Sequence, residues 1–570
     1  MTDTTHIAHG GRLVNLLVDE NRARELKGMA LNLPDIALND RQACDLEMLA
    51  VGGFSPLTGF MTQADYESVL DRMRLKNDVL WPVPVCLDVS EALAEKLKKG
   101  DSLALRDPEG FLLAVMHIKD IWKADREREA QQVFETTDTH HPGVWQLLHK
   151  SSPCYIGGDI EVINLPLHFD FKQIRLTPAE LRAIYAKLGW NRIVGFQTRQ
   201  PLHRFLFEMT TRAMRQTRAN LLLLPAVGMT RPGDFDHYTR VRCYQAVSRY
   251  FPPNSHLTSL LPLAMRLSGP RDAILDAIIA KNYGCSHFIV GHDHASPGNA
   301  RNGLPFYESD RARNTAAQFS EELGVEIVSF EKLVYLPFED EYRGVDEVSE
   351  DAQTIFMTGT DIRNRIHQGR RIPEWATFKE VVEELQKAYP PPRRQGFTIF
   401  LTGLSGAGKS TVAKVLYSLF LEIGDRPVTL LDGDIVRLNL SNELSFTKEH
   451  RDINVRRIGY VASEITKNRG IAICAPIAPY ERTRREVRQT IEQYGGFIEV
   501  HVSTPITECE RRDRKGMYAK ARAGLIKGFT GVDDPYESPE SPELRINTTD
   551  QTPVESAQEI LLFLGKKGYI

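Results

Sequence analysis

One run of nine residues constrains the fold of this chain more than any other. Gly403–Thr411 reads GLSGAGKST and matches G-x-x-x-x-G-K-[ST], between a β-rich run at 397–402 and a helical stretch at 412–420. Glycines let backbone N–H groups close around a phosphate, and the N-terminus of the following helix adds a favourable partial charge. The run therefore predicts an α/β unit that binds a nucleoside triphosphate.

The side chains of this loop suit two partners. Lys409 supplies a point charge for the β- and γ-phosphates, and the Ser410 hydroxyl suits Mg²⁺, so we expect Mg²⁺ together with ATP. The residues predicted to contact ATP are Gly403, Leu404, Ser405, Gly406, Ala407, Gly408, Lys409, Ser410 and Thr411.

Charged residues follow the loop along the chain. Asp432 and Asp434 come at the end of the next β-rich run, where a carboxylate could orient Mg²⁺ or accept a hydroxyl proton, although Asp-Gly-Asp is also a common turn. Either a second bound anion or a solvated helix face explains the arginines that recur further on: Arg437, Arg451, Arg456, Arg457, Arg482, Arg484 and Arg485. The basic segment 510–518 is typical of a mobile lid over phosphates.

The chain is too long for one hydrophobic core. It has 570 residues, and single cores stop growing near about 300. The prolines at 390–392 cannot continue a helix and favour an extended connector. We expect an α/β multidomain protein, with a mostly-β domain at 1–170, a parallel α/β domain at 171–330, a small connecting domain at 331–390 and a P-loop α/β domain at 391–570.

Composition excludes several classes of protein. The net charge is −4, from 71 basic and 75 acidic residues, so neither nucleic acid nor a membrane is expected as a partner. Seven scattered cysteines without a CxxC pair fit buried thiols in a reducing compartment. No signal peptide and no spanning apolar run is found, so we expect a cytoplasmic protein.

Further motifs surround the phosphate loop. They are LDGD-x-x-R, F-[ST]-x-x-x-R-x-x-N-x-R-R, PY-x-x-x-R and RD-x-KG-x-Y-x-KARAG-x-IKGFTG-[IV]-D-x-PYE-x-P, all within residues 396–570. With GLSGAGKST they resemble adenylylsulfate kinase. The resemblance implies transfer of the γ-phosphate of ATP to the 3′-hydroxyl of adenylylsulfate, which gives 3′-phosphoadenylylsulfate (PAPS) and ADP.

The resemblance also implies roles for single residues. Asp434 would be the base or hydroxyl-orienting group, with Asp432 and Lys409 in the catalytic set. Adenylylsulfate would be held by Asp434, Arg437, Phe446, Arg451, Asn454, Ile477, Lys527 and Phe529, with the two phenylalanines clamping its adenine. The lid would contain Arg512, Asp513 and Lys515, with Arg512 also contacting ATP. His450 stands where the family usually has an acidic residue, and Ala478 stands where many members have a serine.

Motifs of a second kind occupy the front two-thirds of the chain. They are GGFSPLTGFM (52–61), Q-x-R-x-P-x-H (197–203), P-x-x-G-x-[TKR]-x-x-GD (225–234), MR-x-x-GPR-[DE]-A (265–273) and KNYGC-x-HFIVG (281–291). Together they resemble ATP sulfurylase, which makes adenylylsulfate and pyrophosphate from ATP and sulfate. The resemblance implies a PUA-like domain followed by a Rossmann-like nucleotidyltransferase domain.

The sulfurylase-like site is only partly retained. Four residues of a vestigial anion site are present: Gln197, Arg199, His203 and Ala295. Leu206 and Leu224 stand where the family has histidines, and His292 stands where it has an arginine. Loss of one preorganised hydrogen-bond donor typically costs about 10²–10³-fold in rate. We therefore expect little or no sulfurylase activity.

Three functions stay open at this level. The first is an adenylylsulfate kinase whose sulfurylase-like region serves scaffolding or assembly. The second is a bifunctional PAPS synthetase, and the third is a sulfurylase regulated by a PAPS-sensing kinase-like domain. The intact Gly403–Thr411 loop with Asp434 argues against the third. Both families commonly form homo-oligomers, so the resemblance implies one here.

Overall fold

The computed structural model describes residues 7–349, 351–445 and 447–570, with the backbone but not the side chain of Asp434. These residues fall into two compact units, the first with residues up to 359 and 373–384, the second with 360–372 and 385–570. The chain therefore passes between the units at 359/360, 372/373 and 384/385. The segment 331–390, expected as one connecting domain, contributes to both units.

The first unit begins with a six-stranded sheet. Its strands are β1 Asp35–Ala37, β2 Gly59–Phe60, β3 Leu87–Val89, β4 Ser102–Arg106, β5 Leu112–Lys123 and β6 Cys154–Val162. Its helices are α1 Glu20–Met29, α2 Asp40–Ala50, α3 Gln63–Arg72, α4 Glu91–Ala94, α5 Arg126–Phe134 and α6 Pro142–Trp145. The order is β1-β4-β5-β6-β2, with β3 also on β6, and every pair except β1–β4 is antiparallel. The sheet predicted for this region is confirmed.

A parallel five-stranded sheet follows in the same unit, in the order β11-β10-β7-β8-β9. The strands are β7 Ile193–Thr198, β8 Asn220–Pro225, β9 His256–Thr258, β10 His287–Ile289 and β11 Glu326–Val328, and β12 Leu333–Leu336 pairs with β13 Glu341–Gly344. The helices are α7 Pro178–Leu188, α8 Arg204–Thr217, α9 His237–Ser248, α10 Pro270–Asn282, α11 Arg311–Gln318, α12 Ser320–Leu323, α13 Gly359–His367 and α14 Lys379–Ala388, the last two crossing between units. The predicted parallel α/β architecture is confirmed.

The second unit contains another parallel sheet, in the order β15-β16-β14-β17-β18. Its strands are β14 Phe397–Thr402, β15 Val428–Asp432, β16 Ile471–Ala475, β17 Gly496–Val502 and β18 Leu544–Ile546. Its helices are α15 Lys409–Ile423, α16 Gly433–Leu440, α17 Lys448–Lys467, α18 Glu481–Glu492, α19 Ile506–Arg512, α20 Met517–Arg522 and α21 Pro553–Lys566. Every residue of the central strand β14 is buried, which suits its mostly apolar sequence FTIFLT.

The crevice of this sheet lies where its strands end. In open parallel sheets, ligands bind outside the carboxyl ends of the strands. Here the loop after β14, the end of β15 and the segment after β17 meet at that edge. Within the described ranges, no helix combines the length and apolar character needed to cross a bilayer.

Candidate functional site

The loop between β14 and α15 has the backbone of a phosphate-binding loop. Gly406 and Gly408 have φ values of +74° and +101°, which residues other than glycine rarely adopt. A Cβ atom on Gly403 would lie 2.4 Å from the carbonyl oxygen of Val502. Lys409 begins α15, and its Nζ donates to the carbonyl oxygens of Gly403 and Leu404 at 2.9 and 2.7 Å. The loop thus has the predicted strand–loop–helix setting.

The predicted carboxylates lie at the same edge of the sheet. Asp432 is the last residue of β15 and is buried. Asp434 follows in the first turn of α16, but its side chain is outside the described part of the structure. Phe446, the first of the two predicted clamp residues, is also outside the described residues.

Helix α17 carries Arg451 and Asn454, and Arg451 contacts the loop that carries Phe529. Arg451 donates from Nη1 to Thr530 Oγ1 at 2.6 Å and forms an ion pair with Asp534 at 2.9 Å through Nη2. Among the described residues, Nε of Arg451 and Oδ1 of Asn454 are buried without a hydrogen-bond partner. Because an unsatisfied buried polar atom is costly, these two atoms indicate a place where a ligand supplies the partners.

The other predicted adenylylsulfate contacts lie in separate settings of the same unit. The carbonyl oxygen of Ile477 accepts a hydrogen bond from Thr402 Oγ1 at 2.7 Å, at the start of the phosphate loop. Arg437 on α16 donates to the carbonyl oxygens of Leu444 and Ser445. Lys527 is exposed.

The lid segment contacts the phosphate loop through a residue that the sequence did not single out. Arg512 at the end of α19 donates to both Oγ1 and the carbonyl oxygen of Thr548, at 2.8 and 2.7 Å. Thr548 Oγ1 donates in turn to the carbonyl oxygen of Ala407 at 2.8 Å. An isolated threonine far along the chain carries no motif signal, so only the fold reveals this link.

Asp513 organises the rest of the lid. Its carboxylate accepts hydrogen bonds from the backbone N–H groups of Ala519 and Tyr518, at 3.0 and 3.1 Å. These bonds hold the pKa of Asp513 below its ordinary value. The carboxylate therefore fixes the first turn of α20. Lys515, which lies between Asp513 and this helix in the sequence, is exposed.

Most of the recurring arginines bind carboxylates of the chain itself. The ion pairs are Arg456–Glu486, Arg457–Glu443, Arg482–Glu486, Arg484–Glu499 and Arg485–Glu481. Each of these arginines thus has a carboxylate of the chain beside it, which favours a solvated helix face, and the second anion site stays a prediction.

The predicted sulfurylase-like site residues lie at or follow the carboxyl ends of β7 and β10. Gln197 is buried in β7, and its Nε2 has no acceptor within the described ranges. Arg199 Nη1 donates to both carboxylate oxygens of Asp234, at 2.6 and 2.8 Å. Arg199 Nη2 donates to the carbonyl oxygen of Ser296 at 3.2 Å, next to Ala295, whose φ is +51°. Donors for an anion persist, but the guanidinium charge is already paired.

The three departures lie on separate elements of the first unit. Leu224 is buried in strand β8, and Leu206 is half-buried in the first turn of α8. His292 Nδ1 lies 2.9 Å from Oδ1 of Asp310, so its ring faces a carboxylate of the chain. The retained His203 contacts Thr377 Oγ1 through Nδ1 at 3.0 Å.

Three family models match successive parts of the chain. A PUA-like domain matches residues 6–165, ATP-sulfurylase matches 172–388 and adenylylsulphate kinase matches 395–547. The two resemblances stated from the sequence are thereby confirmed, and so is their fusion in one chain.

Full-length relatives and a full-length solved structure are also similar to this chain. A sulfate adenylyltransferase of Phaeosphaeria nodorum is 47% identical over 99% of both chains, and one of Aspergillus terreus is 48% identical over 98% of both. The solved structure, a hexameric APS kinase from Thiobacillus denitrificans, is 40% identical with a TM-score of 0.82 and covers 99% of both chains.

Proposed function

This chain belongs to the family in which an ATP-sulfurylase domain is fused to an adenylylsulfate kinase domain, and from that premise we propose that it phosphorylates adenylylsulfate. The substrates are ATP and adenylylsulfate, and the products are ADP and PAPS. One observation carries this proposal: buried polar atoms of Arg451 and Asn454 lack partners among the described residues, beside an intact phosphate loop.

The proposed reaction is a single in-line transfer. The 3′-oxygen of adenylylsulfate attacks the γ-phosphorus of ATP, the bond from that phosphorus to the β–γ bridging oxygen breaks, and ADP leaves. The hydroxyl proton passes to Asp434. Lys409 and the N–H groups of the loop compensate charge on the phosphates. The Ser410 hydroxyl and the carboxylate of Asp432 are oxygen ligands of the kind that suits Mg²⁺, which would neutralise phosphate charge.

We propose that the front site has little or no sulfurylase activity. Leu224 is buried in the sheet and cannot donate to a phosphate. His292 faces Asp310, and Arg199 is bound on two oxygens by Asp234. The similar solved structure that covers 99% of both chains is named as an APS kinase, and its name mentions no sulfurylase.

The second candidate is a bifunctional enzyme that performs both steps. It is favoured by the relatives at 47–48% identity, which are named sulfate adenylyltransferases. A regulatory kinase-like domain is the third candidate, and the complete loop from Gly403 to Thr411 argues against it.

Two assays on the purified intact protein separate the candidates. We expect ADP formation that depends on adenylylsulfate, and no ATP formation from adenylylsulfate with pyrophosphate. Robust ATP formation would establish the bifunctional enzyme, and absence of kinase turnover would favour the sensor.

Further features of the whole protein belong to this proposal. We propose domains at 1–170, 171–330, 331–390 and 391–570, as expected from the sequence. We also propose a cytoplasmic homo-oligomer, and the hexameric full-length neighbour supports its assembly.

A further inference from the structure

Tyr518 joins the phosphate loop to the loop that carries Phe529. It lies in the first turn of α20 and is 3% exposed. Its hydroxyl donates to the carbonyl oxygen of Ser405 at 3.0 Å. Its ring meets that of Phe529 edge to face, with the centroids 5.0 Å apart. One side chain therefore contacts the predicted sites of both substrates.

The hydrogen bond from the Tyr518 hydroxyl fixes the orientation of one peptide unit. The Ser405 carbonyl and the Gly406 N–H belong to the same unit, and in a trans peptide they point in opposite directions. Holding the carbonyl on Tyr518 turns the Gly406 N–H away from this side chain. Backbone N–H groups of such loops are the donors that cradle phosphates. Tyr518 thus controls one donor of the nucleotide site.

Tyr518 is itself held in place. The Asp513 carboxylate accepts from its backbone N–H. Burial raises the pKa of the Tyr518 phenol above its ordinary value, so the hydroxyl keeps its proton and acts as a donor. The side chain is consequently fixed at its backbone, its ring and its hydroxyl.

We propose that Tyr518 is a positioning residue that couples nucleotide binding to adenylylsulfate binding. The proposal rests on the proposed kinase function. Adenine packed on Phe529 restricts the Tyr518 ring, which in turn holds the Ser405–Gly406 peptide in its phosphate-binding orientation. Because binding linkage is reciprocal, each ligand tightens the other by the same factor.

Calorimetry on the intact chain tests this proposal. ADP is titrated into protein alone and into protein saturated with adenylylsulfate, and the ratio of the two dissociation constants is the coupling factor. Tyr518→Phe keeps the ring but removes the hydroxyl. We expect it to weaken ADP binding about two- to ten-fold, the range for one hydrogen bond, and to bring the coupling factor to one. Tyr460→Phe makes the same change at a tyrosine that is 64% exposed and should match the wild type.

The outcomes distinguish this proposal from the kinase function. The proposal is overturned if Tyr518→Phe leaves either the ADP affinity or the coupling factor unchanged. It is also overturned if the coupling factor of the wild-type protein is one. A merely structural role would lower thermal stability without changing the coupling factor. Tyr518→Leu also removes the ring, and we expect it to weaken adenylylsulfate binding in addition. Wild-type protein that binds ADP but no adenylylsulfate would contradict the kinase function, while the ADP titrations would still test Tyr518.

Discussion

At the scale of the residue, Lys409 provides the simplest test of the kinase site. Its ammonium group is the only charge contributed by the nine-residue loop. We expect Lys409→Ala to lower kcat by at least about 10²-fold, because a preorganised charge-stabilising group is lost. The measurement is ADP formation with saturating adenylylsulfate. Lys414→Ala, at an exposed position of the same helix, is the matched control and should retain activity. Equal rates in both variants would contradict the proposed site.

Asp534 is a second test, and the sequence alone did not reveal its role. It binds Arg451 and accepts a hydrogen bond from the Tyr480 hydroxyl at 2.8 Å. We expect Asp534→Asn to raise KM for adenylylsulfate about ten-fold and to leave KM for ATP nearly unchanged, because a charge-assisted bond to Arg451 is weakened. Steady-state kinetics with each substrate varied separates the two constants. Asp550→Asn, an exposed control, should change neither. A rise confined to KM for ATP would refute this assignment.

The departures at the front site can be reversed. Leu206→His and His292→Arg together restore two groups that can donate toward a triphosphate. We expect the double variant to gain measurable sulfurylase turnover, because each regained donor stabilises charge on the phosphates. The measurement is ATP formation from adenylylsulfate and pyrophosphate. Continued inactivity would show that further positions, including Leu224 in the buried strand, also prevent the reaction.

Among the helices, α20 depends on the carboxylate of Asp513, which accepts from its first N–H groups. We expect Asp513→Ala to raise KM for ATP several-fold, since these N–H groups of the lid lose their acceptor. Limited proteolysis should also cut the segment 513–522 faster in this variant. Asp533→Ala removes a carboxylate that accepts from two backbone N–H groups in the adjacent loop, those of Gly528 and Phe529, and should instead raise KM for adenylylsulfate. Proteolysis at the wild-type rate would contradict the proposed role.

Local pattern predicted the central strand of the second unit well. The β-rich run at 397–402 forms β14 with the expected bounds. Residues 79–88 lie in the region expected to be mostly β, yet they form only an isolated bridge at Leu80 and the beginning of β3. Pro82 and Pro84 explain this, because proline has no N–H to donate to a ladder.

Contacts between distant residues were not accessible to local pattern. Thr548 bonds to Ala407 across 141 positions, and Tyr518 to Ser405 across 113. Neither residue belongs to an alternating, capping or repeated sequence pattern that would indicate its partner. The motifs located the ends of the strands where ligands bind, but the links between the loops arise only from the packed fold.

At the scale of the whole molecule, buried histidines make stability depend on pH. Burial lowers the pKa of His9, His141 and His501 to about 4. The unfolded chain binds more protons between pH 4 and about 6.5, so stability falls as the pH drops through this window. Burial raises the pKa of Asp272 to about 6 and the pKa values of Glu129 and Glu499 above their ordinary value, which opposes the trend. More groups favour the fall, because burial also lowers the pKa of four further histidines: His237, His256, His287 and His367.

We expect the urea midpoint of unfolding to be lower at pH 5 than at pH 7.5. Circular dichroism across a urea series measures it at both values. The midpoint at pH 7.5 should change little on raising the pH to 8.5, because these histidines are already neutral. A midpoint that is equal at pH 5 and pH 7.5 would contradict the expected titration.

The path of the chain between the two units limits how such proteins can be recombined. A chimera joined at the proline connector would take residues 391–570 from one parent and everything before them from the other. Residues 360–372, which belong to the same unit as 391–570, would then come from the wrong parent. A single crossover in the coding sequence therefore splits the kinase-bearing unit between two parents. Modular exchange of this unit needs paired crossovers that move 360–372 together with 385–570, and inherited variants of the family should show these two stretches changing in concert.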